Sequence, residues 1–181
     1  GNDAYTKQMK ANFMRDGLEE KYFIEFDSVP SGHALVMIDK EGMNYLTVAP
    51  EANFLLEPEH IESNLDDLKK CNLWVIQCEL KENCLNYILN TSKELGIPLL
   101  WNFAPAIDLQ EIPLNCVEYL VVNENEASAL SGKLVENASQ AEEAARVLLA
   151  KGAANVIVTL GSRGLVCVNA DGVIKLDAYK V

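Results

Sequence analysis

Four short apolar runs in this sequence end in residues able to do chemistry. Leu73–Gln77 runs into Cys78-Glu79, and Pro98–Asn102 into Phe103-Ala104-Pro105-Ala106. Glu118–Val122 runs into Asn123-Glu124-Asn125-Glu126, and Val156–Val158 into Thr159-Leu160-Gly161-Ser162-Arg163-Gly164. If the runs are neighbouring parallel strands, one geometric rule puts all these residues on one rim, since ligands in open α/β sheets sit beyond the carboxyl ends of the strands. Glu79, Asn102, Asn123 with Glu126, and the Thr/Gly/Ser turn then form a polar crevice assembled from distant parts of the chain.

Each part also has a plainer reading. Glu79 alone reads equally as a solvated loop acid. Asn123 with Glu126 has the spacing of a helix capping box, in which Asn caps and the Glu side chain returns to the cap backbone. Asn102 suits an Asx-turn. The turn Gly161–Gly164 is either an ordinary β-turn or a backbone cradle for phosphate, and the residues alone leave both open.

The elements that must position these residues are legible from hydrophobic period and breakers. Asp3 to Asp16 predicts a helix with Tyr5, Met9, Phe13 and Met14 on one face, stopped by Gly17. Tyr22–Phe26 predicts a short strand. His33–Ile38 and Tyr45–Val48, joined through Asp39-Lys40-Glu41-Gly42, predict a β-hairpin. Pro58–Leu68, Asn83–Leu95 and Ser139–Lys151 predict helices, and a further helix opens near Glu124. Leu165–Asn169 and Val173–Leu176 predict a second hairpin around Ala170-Asp171-Gly172. Strands alternating with helices, each strand a continuous apolar run, imply an α/β body with a mostly parallel, doubly wound sheet covered on both faces. The expected division is 1–29 as the start of that body, 30–56 as a β segment, and 57–181 as the main body.

Bulk composition narrows the function classes. The 181 residues carry a net charge of −12, which argues against a nucleic-acid surface but not against a nucleotide, whose phosphates need only local N–H groups and one cation. No apolar run approaches the ~20 residues of a membrane helix, and the polar N-terminus has no secretory h-region. Five cysteines without a C-x-x-C, three of them inside apolar runs, predict free thiols and a cytoplasmic location. The two histidines have no metal-ligand spacing, so no metal site on His or Cys is expected. There is no G-x-S-x-G and no G-x-G-x-x-G after a strand, which excludes the common hydrolase and dehydrogenase patterns.

In order and spacing, I-Q-C-E (76–79), N-F-A-P-A (102–106), V-N-E-N-E-A (122–127) and V-T-L-G-S-R-G (158–164) resemble the ribokinase-like (PfkB) sugar kinases. Pro30–Asn44 is similar to that family's lid, Glu51-Ala52-Asn53 stands where the family usually has G-A-N, and the opening G-N-D-A-Y-T resembles its G-x-D-x-F-G helix start. The resemblance covers essentially the whole chain. It implies ATP-dependent phosphorylation of a sugar hydroxyl, the 5-OH of ribose being the first candidate. By motif, Glu79 binds the sugar; Ala34, Val36 and Val48 on the lid pack against its apolar side; Asn123, Thr159, Gly161 and Ser162 line the nucleotide site; and Glu126 organises Mg²⁺. A monovalent cation and a homodimer through the open lid edge are further expectations, with sugar and ATP as the small-molecule partners and neither nucleic acid nor membrane.

The departures shape a second expectation. The family's first strand and Gly-Gly motif have no counterpart here. Nor does its D-T-x-G-A-G-D segment, which supplies an anion hole and the Asp base just after the strand matching Ala178–Val181. The implied reading is an internal part of a longer kinase, inactive alone; the alternative is a non-catalytic binding module that needs a partner. Tyr5-Thr6 for F-G, Phe103 for the Pro of N-P-A-P, and Glu51 for Gly are smaller differences, the last placing an anion near the sugar or lid.

Overall fold

The computed structural model describes residues 1–41, 44–107 and 113–180, with the backbone alone for Asn44. The chain divides into two compact units. One comprises 1–64 with 79–81, and the other 65–78 with 82–181.

The first unit opens with α1 (Ala4–Arg15). Asp3 caps it: Oδ1 accepts the Thr6 N–H at 2.9 Å, and the two carboxylate oxygens take the Ser31 hydroxyl (3.0 Å) and the Ser31 N–H (2.6 Å). With the Ser31 N–H as the main cause, the Asp3 carboxyl lies well below the usual carboxylate range. The cap therefore also pins the chain entering β1 (His33–Ile38), which pairs antiparallel with β2 (Asn44–Ala49). Of the turn expected between these strands, Gly42 lies outside the described residues.

Three expectations in these segments fail. Tyr22–Phe26 is not a strand: Glu20–Tyr22 is a 3₁₀ turn, and no strand among the described residues pairs there. Phe23 instead packs edge-on against Phe13, with ring centroids 5.8 Å apart. The helix expected over Pro58–Leu68 breaks into α2 (Pro58–Glu62) and α3 (Leu65–Leu68). There the Asn64 side chain turns back to the His60 carbonyl (2.9 Å), one way in which Ser and Asn compete with helical hydrogen bonding. In the second unit, Ala178–Lys180, where the family resemblance implies a strand, carries none, and Val181 lies outside the described residues.

The second unit holds a six-stranded sheet in the order β3 (Trp74–Ile76), β4 (Leu99–Asn102), β5 (Val117–Val122), β6 (Asn155–Thr159), β7 (Leu165–Asn169), β8 (Gly172–Leu176). β3 to β6 are parallel, and β7 and β8 append antiparallel. The parallel crossovers carry α4 (Glu82–Leu95), α5 (Glu124–Ser131) and α6 (Ala138–Ala150). The predicted α/β fold with a mostly parallel sheet is thus the one observed.

Leu99, Trp101, Leu120, Val156 and Val158 are fully buried on the strands, as are Leu85 and Leu89 of α4 and Ala144, Ala145 and Leu148 of α6. Small residues on α6 let it lie close, and Asn137 caps its start by accepting from Ser139 and Gln140. Phe103 accounts for its departure from the family's Pro: it is fully buried and edge-on to Trp101, with centroids 5.1 Å apart.

Candidate functional site

In the second unit, β5 and β6 deliver their carboxyl ends side by side, with Val121 opposite Ile157 and Val122 opposite Val158. The next residues, Asn123 and Thr159, therefore leave the sheet together. This position follows from the parallel register, which aligns strand ends as well as strand starts.

At Asn123 the chain turns into α5 through a complete capping box. Asn123 Oδ1 accepts the Glu126 N–H at 2.9 Å, and Glu126 Oε2 accepts the Asn123 N–H at 2.8 Å. The plain reading of N-x-x-E is therefore correct. The Asn123 side chain also faces the Glu126 carboxylate and, with the Asn123 N–H, favours its charged form. Glu126 is buried, and that burial raises its pKa against the opposing hydrogen bonds from Asn123. A buried carboxylate gains by meeting a cation.

Magnesium suits this donor set. It keeps most of its waters and needs only one or two carboxylates, whereas a zinc site needs three or four protein ligands. Among the described residues no group of three or more His, Cys, Asp and Glu comes together, and none of the five cysteines is in a disulfide. Cys78, at the end of β3, is a core thiol: burial pushes its pKa up to about 12, outweighing the indole N–H of Trp101 beside it. That indole N–H is itself buried and, among the described residues, reaches no acceptor at hydrogen-bonding geometry.

At the tip of β6, Thr159 Oγ1 donates to the Val122 carbonyl at 3.3 Å. The turn beyond closes on itself, with Leu160 N–H to Gly164 O (2.8 Å), Arg163 N–H to Leu160 O (3.1 Å) and Gly164 N–H to Gly161 O (3.1 Å). Gly161 has φ +56° and open space where a Cβ would stand, so a ligand can approach its backbone. At Gly164, φ +87°, a Cβ would collide with the Leu176 carbonyl of β8. Ser162 is exposed in the turn.

The first unit assembles a different group. Glu79, half-buried, accepts from Asn53 Nδ2 at 3.3 Å. Asn53 in turn stands against Gly32, whose absent Cβ would lie 2.9 Å from the Asn53 side chain and from the Pro50 carbonyl. Beside them is a concavity of about 340 Å³, lined by Phe26, Ser31, Gly32, Ala52, Asn53 and Leu56. Glu51 is the one described non-glycine residue in left-handed backbone, at φ +44°, at the position where the family has Gly.

On the hairpin, Ala34 is directly opposite Val48, and Val36 lies two residues along, so all three share one exposed face. Sequence reasoning grouped Glu79 with the strand-end residues. The structure gives it Asn53 and the 1–64 segment as its companions. Asn53, which holds Glu79, was not among the candidates read from the sequence; the available signal was the E-A-N triplet itself, already aligned with the family's G-A-N.

All 181 residues match the model of the pfkB family carbohydrate kinases. The chain belongs to that family. It is 30% identical over 182 residues to the deoxyribokinase of Salmonella typhi, covering 100% of the chain and 60% of that protein. Ribokinase from Thermotoga maritima superposes with a TM-score of 0.83 at 30% identity, over 100% of this chain and 58% of that one. A ribokinase of Arabidopsis thaliana, solved with ribose and ATP, shares the fold at a TM-score of 0.79 and 24% identity, over 98% of this chain and 58% of that one. The chain thus spans about three fifths of the length of these pfkB relatives.

Proposed function

We propose that this chain forms the sugar- and nucleotide-binding part of an ATP-dependent kinase that phosphorylates a pentose hydroxyl, ribose at its 5-OH being the leading substrate. One observation carries the reading. The paired ends of β5 and β6 set the buried Glu126 carboxylate and a glycine turn with an approachable backbone at one end of the sheet. A nucleotide with its metal asks for that combination.

In-line phosphoryl transfer leaves the protein mainly positioning and charge neutralisation to perform. Thr159, Gly161 and Ser162 line the nucleotide, with the open Gly161 backbone allowing close approach. Asn123 and Glu126 would hold Mg²⁺ through its waters, and bound Mg²⁺ supplies neutralisation of phosphate charge. Glu79, oriented by Asn53, accepts hydrogen bonds from sugar hydroxyls. Ala34, Val36 and Val48 present an apolar face that covers the sugar and excludes water. No residue of this chain is assigned as the base that takes the hydroxyl proton. The two-stranded lid sheet leaves both its edges unpaired among the described residues, which suits pairing with a second copy.

The test is steady-state kinetics of the full-length protein with ATP, Mg²⁺ and a panel of ribose, deoxyribose and fructose. Glu79→Ala raises the sugar KM about tenfold, the worth of one hydrogen bond to a charged group. Glu126→Ala lowers kcat roughly a hundredfold and leaves the sugar KM in place. Unchanged kinetics in both variants overturn these roles.

A further inference from the structure

Arg163 has no role in the reading above, and the T-L-G-S-R-G motif alone leaves it as either a phosphate ligand or a solvated side chain. The structure gives it another occupation. Its guanidinium Nη2 donates to Glu124 Oε1 at 2.9 Å, and its Nη1 donates to the Glu136 carbonyl in the connection between α5 and α6. Two of its nitrogens are thus committed to two different segments, an arrangement that the planar guanidinium fork favours and a lysine cannot copy.

Glu124 immediately follows Asn123. The residue immediately before Asn123 is Val122, whose carbonyl receives the Thr159 hydroxyl at 3.3 Å. The β6 turn therefore grips the chain on both sides of Asn123, with Thr159 before it and Arg163 after it. The turn is rigid enough to transmit that grip, because three backbone hydrogen bonds close it and Gly164 is wedged against the Leu176 carbonyl of β8.

We infer that Arg163 is a positioning residue: its fork to Glu124 and Glu136 holds the glycine turn and the Asn123–Glu126 helix start in register, so that the nucleotide and metal halves of the site are set before ligand arrives. This rests on the proposed nucleotide role of the two motifs. The pair is about half exposed on the Arg side, so its contribution to global stability is small. Its effect falls on the relative placement of the motifs, which is what preorganisation requires.

The experiment compares Arg163→Ala, Arg163→Lys, Glu124→Gln and the double variant Arg163→Ala/Glu124→Gln in the full-length protein. Arg163→Ala and Glu124→Gln each raise the ATP KM about fivefold with the sugar KM unchanged, and the double variant is no worse than either alone. Arg163→Lys recovers part of the loss, since it keeps the charge without the fork. Additive losses overturn the inference, because they mean Arg163 acts on ATP directly, as does an unaltered ATP KM in Arg163→Ala. A second readout is independent of catalysis. Amide hydrogen exchange without ligand must accelerate in Arg163→Ala at both Asn123–Glu126 and Leu160–Gly164. If exchange accelerates but no sugar is phosphorylated by the wild type, the functional reading fails and the latch stands. If neither segment changes, the latch fails.

Discussion

The molecule contains two antiparallel hairpins of nearly equal size, and they behave oppositely. β7–β8 continues the sheet through β6, and Val166 and Val168 of β7 are fully buried. β1–β2 pairs only with itself, and Leu35, Val36, Met37, Ile38, Tyr45, Leu46 and Val48 are all exposed. Both sequences are apolar enough for a core. What differs is the neighbour: one hairpin extends a larger sheet and packs on α6, and among the described residues the other pairs with no further strand. An apolar surface kept exposed at this scale marks a place where something else binds, and this exposure is what the proposed sugar and second-copy roles of the β1–β2 hairpin build on.

That contrast can be broken most sharply by placing a charge in each hairpin. Val168→Asp buries an unpaired carboxylate in the sheet and costs about 4 kcal/mol or more, enough to unfold a marginal domain; the denaturation midpoint reads it. Val36→Asp shifts the same midpoint by no more than about 0.5 kcal/mol, because the side chain already faces solvent. It does raise the sugar KM. Equal destabilisation by the two would remove the distinction between structural and functional hairpin.

The two carboxylates that cap helices sharpen the comparison through pH. Asp3 has a depressed pKa because it accepts from Ser31 and Thr6, so its contribution to stability is complete above the ordinary Asp range and is lost as pH falls toward its folded value. Asp3→Ala therefore lowers the thermal midpoint at pH 7, and its deficit shrinks at pH 3. Glu126 has a raised pKa from burial, and the sign reverses: between its unfolded and folded values, rising pH costs stability. Glu126→Gln removes that cost, so it stabilises the protein at neutral pH while impairing the rate. Thermal midpoints of Glu126→Gln and wild type across pH 4–8 read the sign, and a variant no more stable than wild type at pH 7 contradicts it.

The smallest effect is expected at Glu51. Its left-handed backbone strains any residue with a Cβ, and replacing it by glycine returns about 0.5–1 kcal/mol after the entropy cost of glycine. Glu51→Gly should raise the denaturation midpoint slightly. A drop would mean that the Glu51 side chain makes compensating contacts.

The second unit was far more legible than the first. Its strands read correctly because each of β4 to β7 is a half-buried or buried apolar run bounded by a breaker, and the start of α5 read correctly because Asn123 and Glu126 carry the capping box in the sequence. The first unit resisted for reasons of context. Tyr22–Phe26 has strand-like residues but no strand to pair with, and Tyr5, Phe13 and Met14 form an apolar face on α1 that stays exposed. Asn53 could be matched to a motif, but its hydrogen bond to Glu79 joins residues 26 positions apart and has no periodic signature. Arg163 was undecidable for the same reason, its partner lying 39 positions away.

The central claim is that the carboxyl ends of β5 and β6 form one nucleotide–metal site. Amide hydrogen exchange of the full-length protein with and without ATP and Mg²⁺, in the absence of sugar, tests it most directly. The account predicts protection at both Asn123–Glu126 and Val158–Gly164, with the first segment losing its protection when Mg²⁺ is withheld. Protection confined to other segments, or none at either of these, would contradict it.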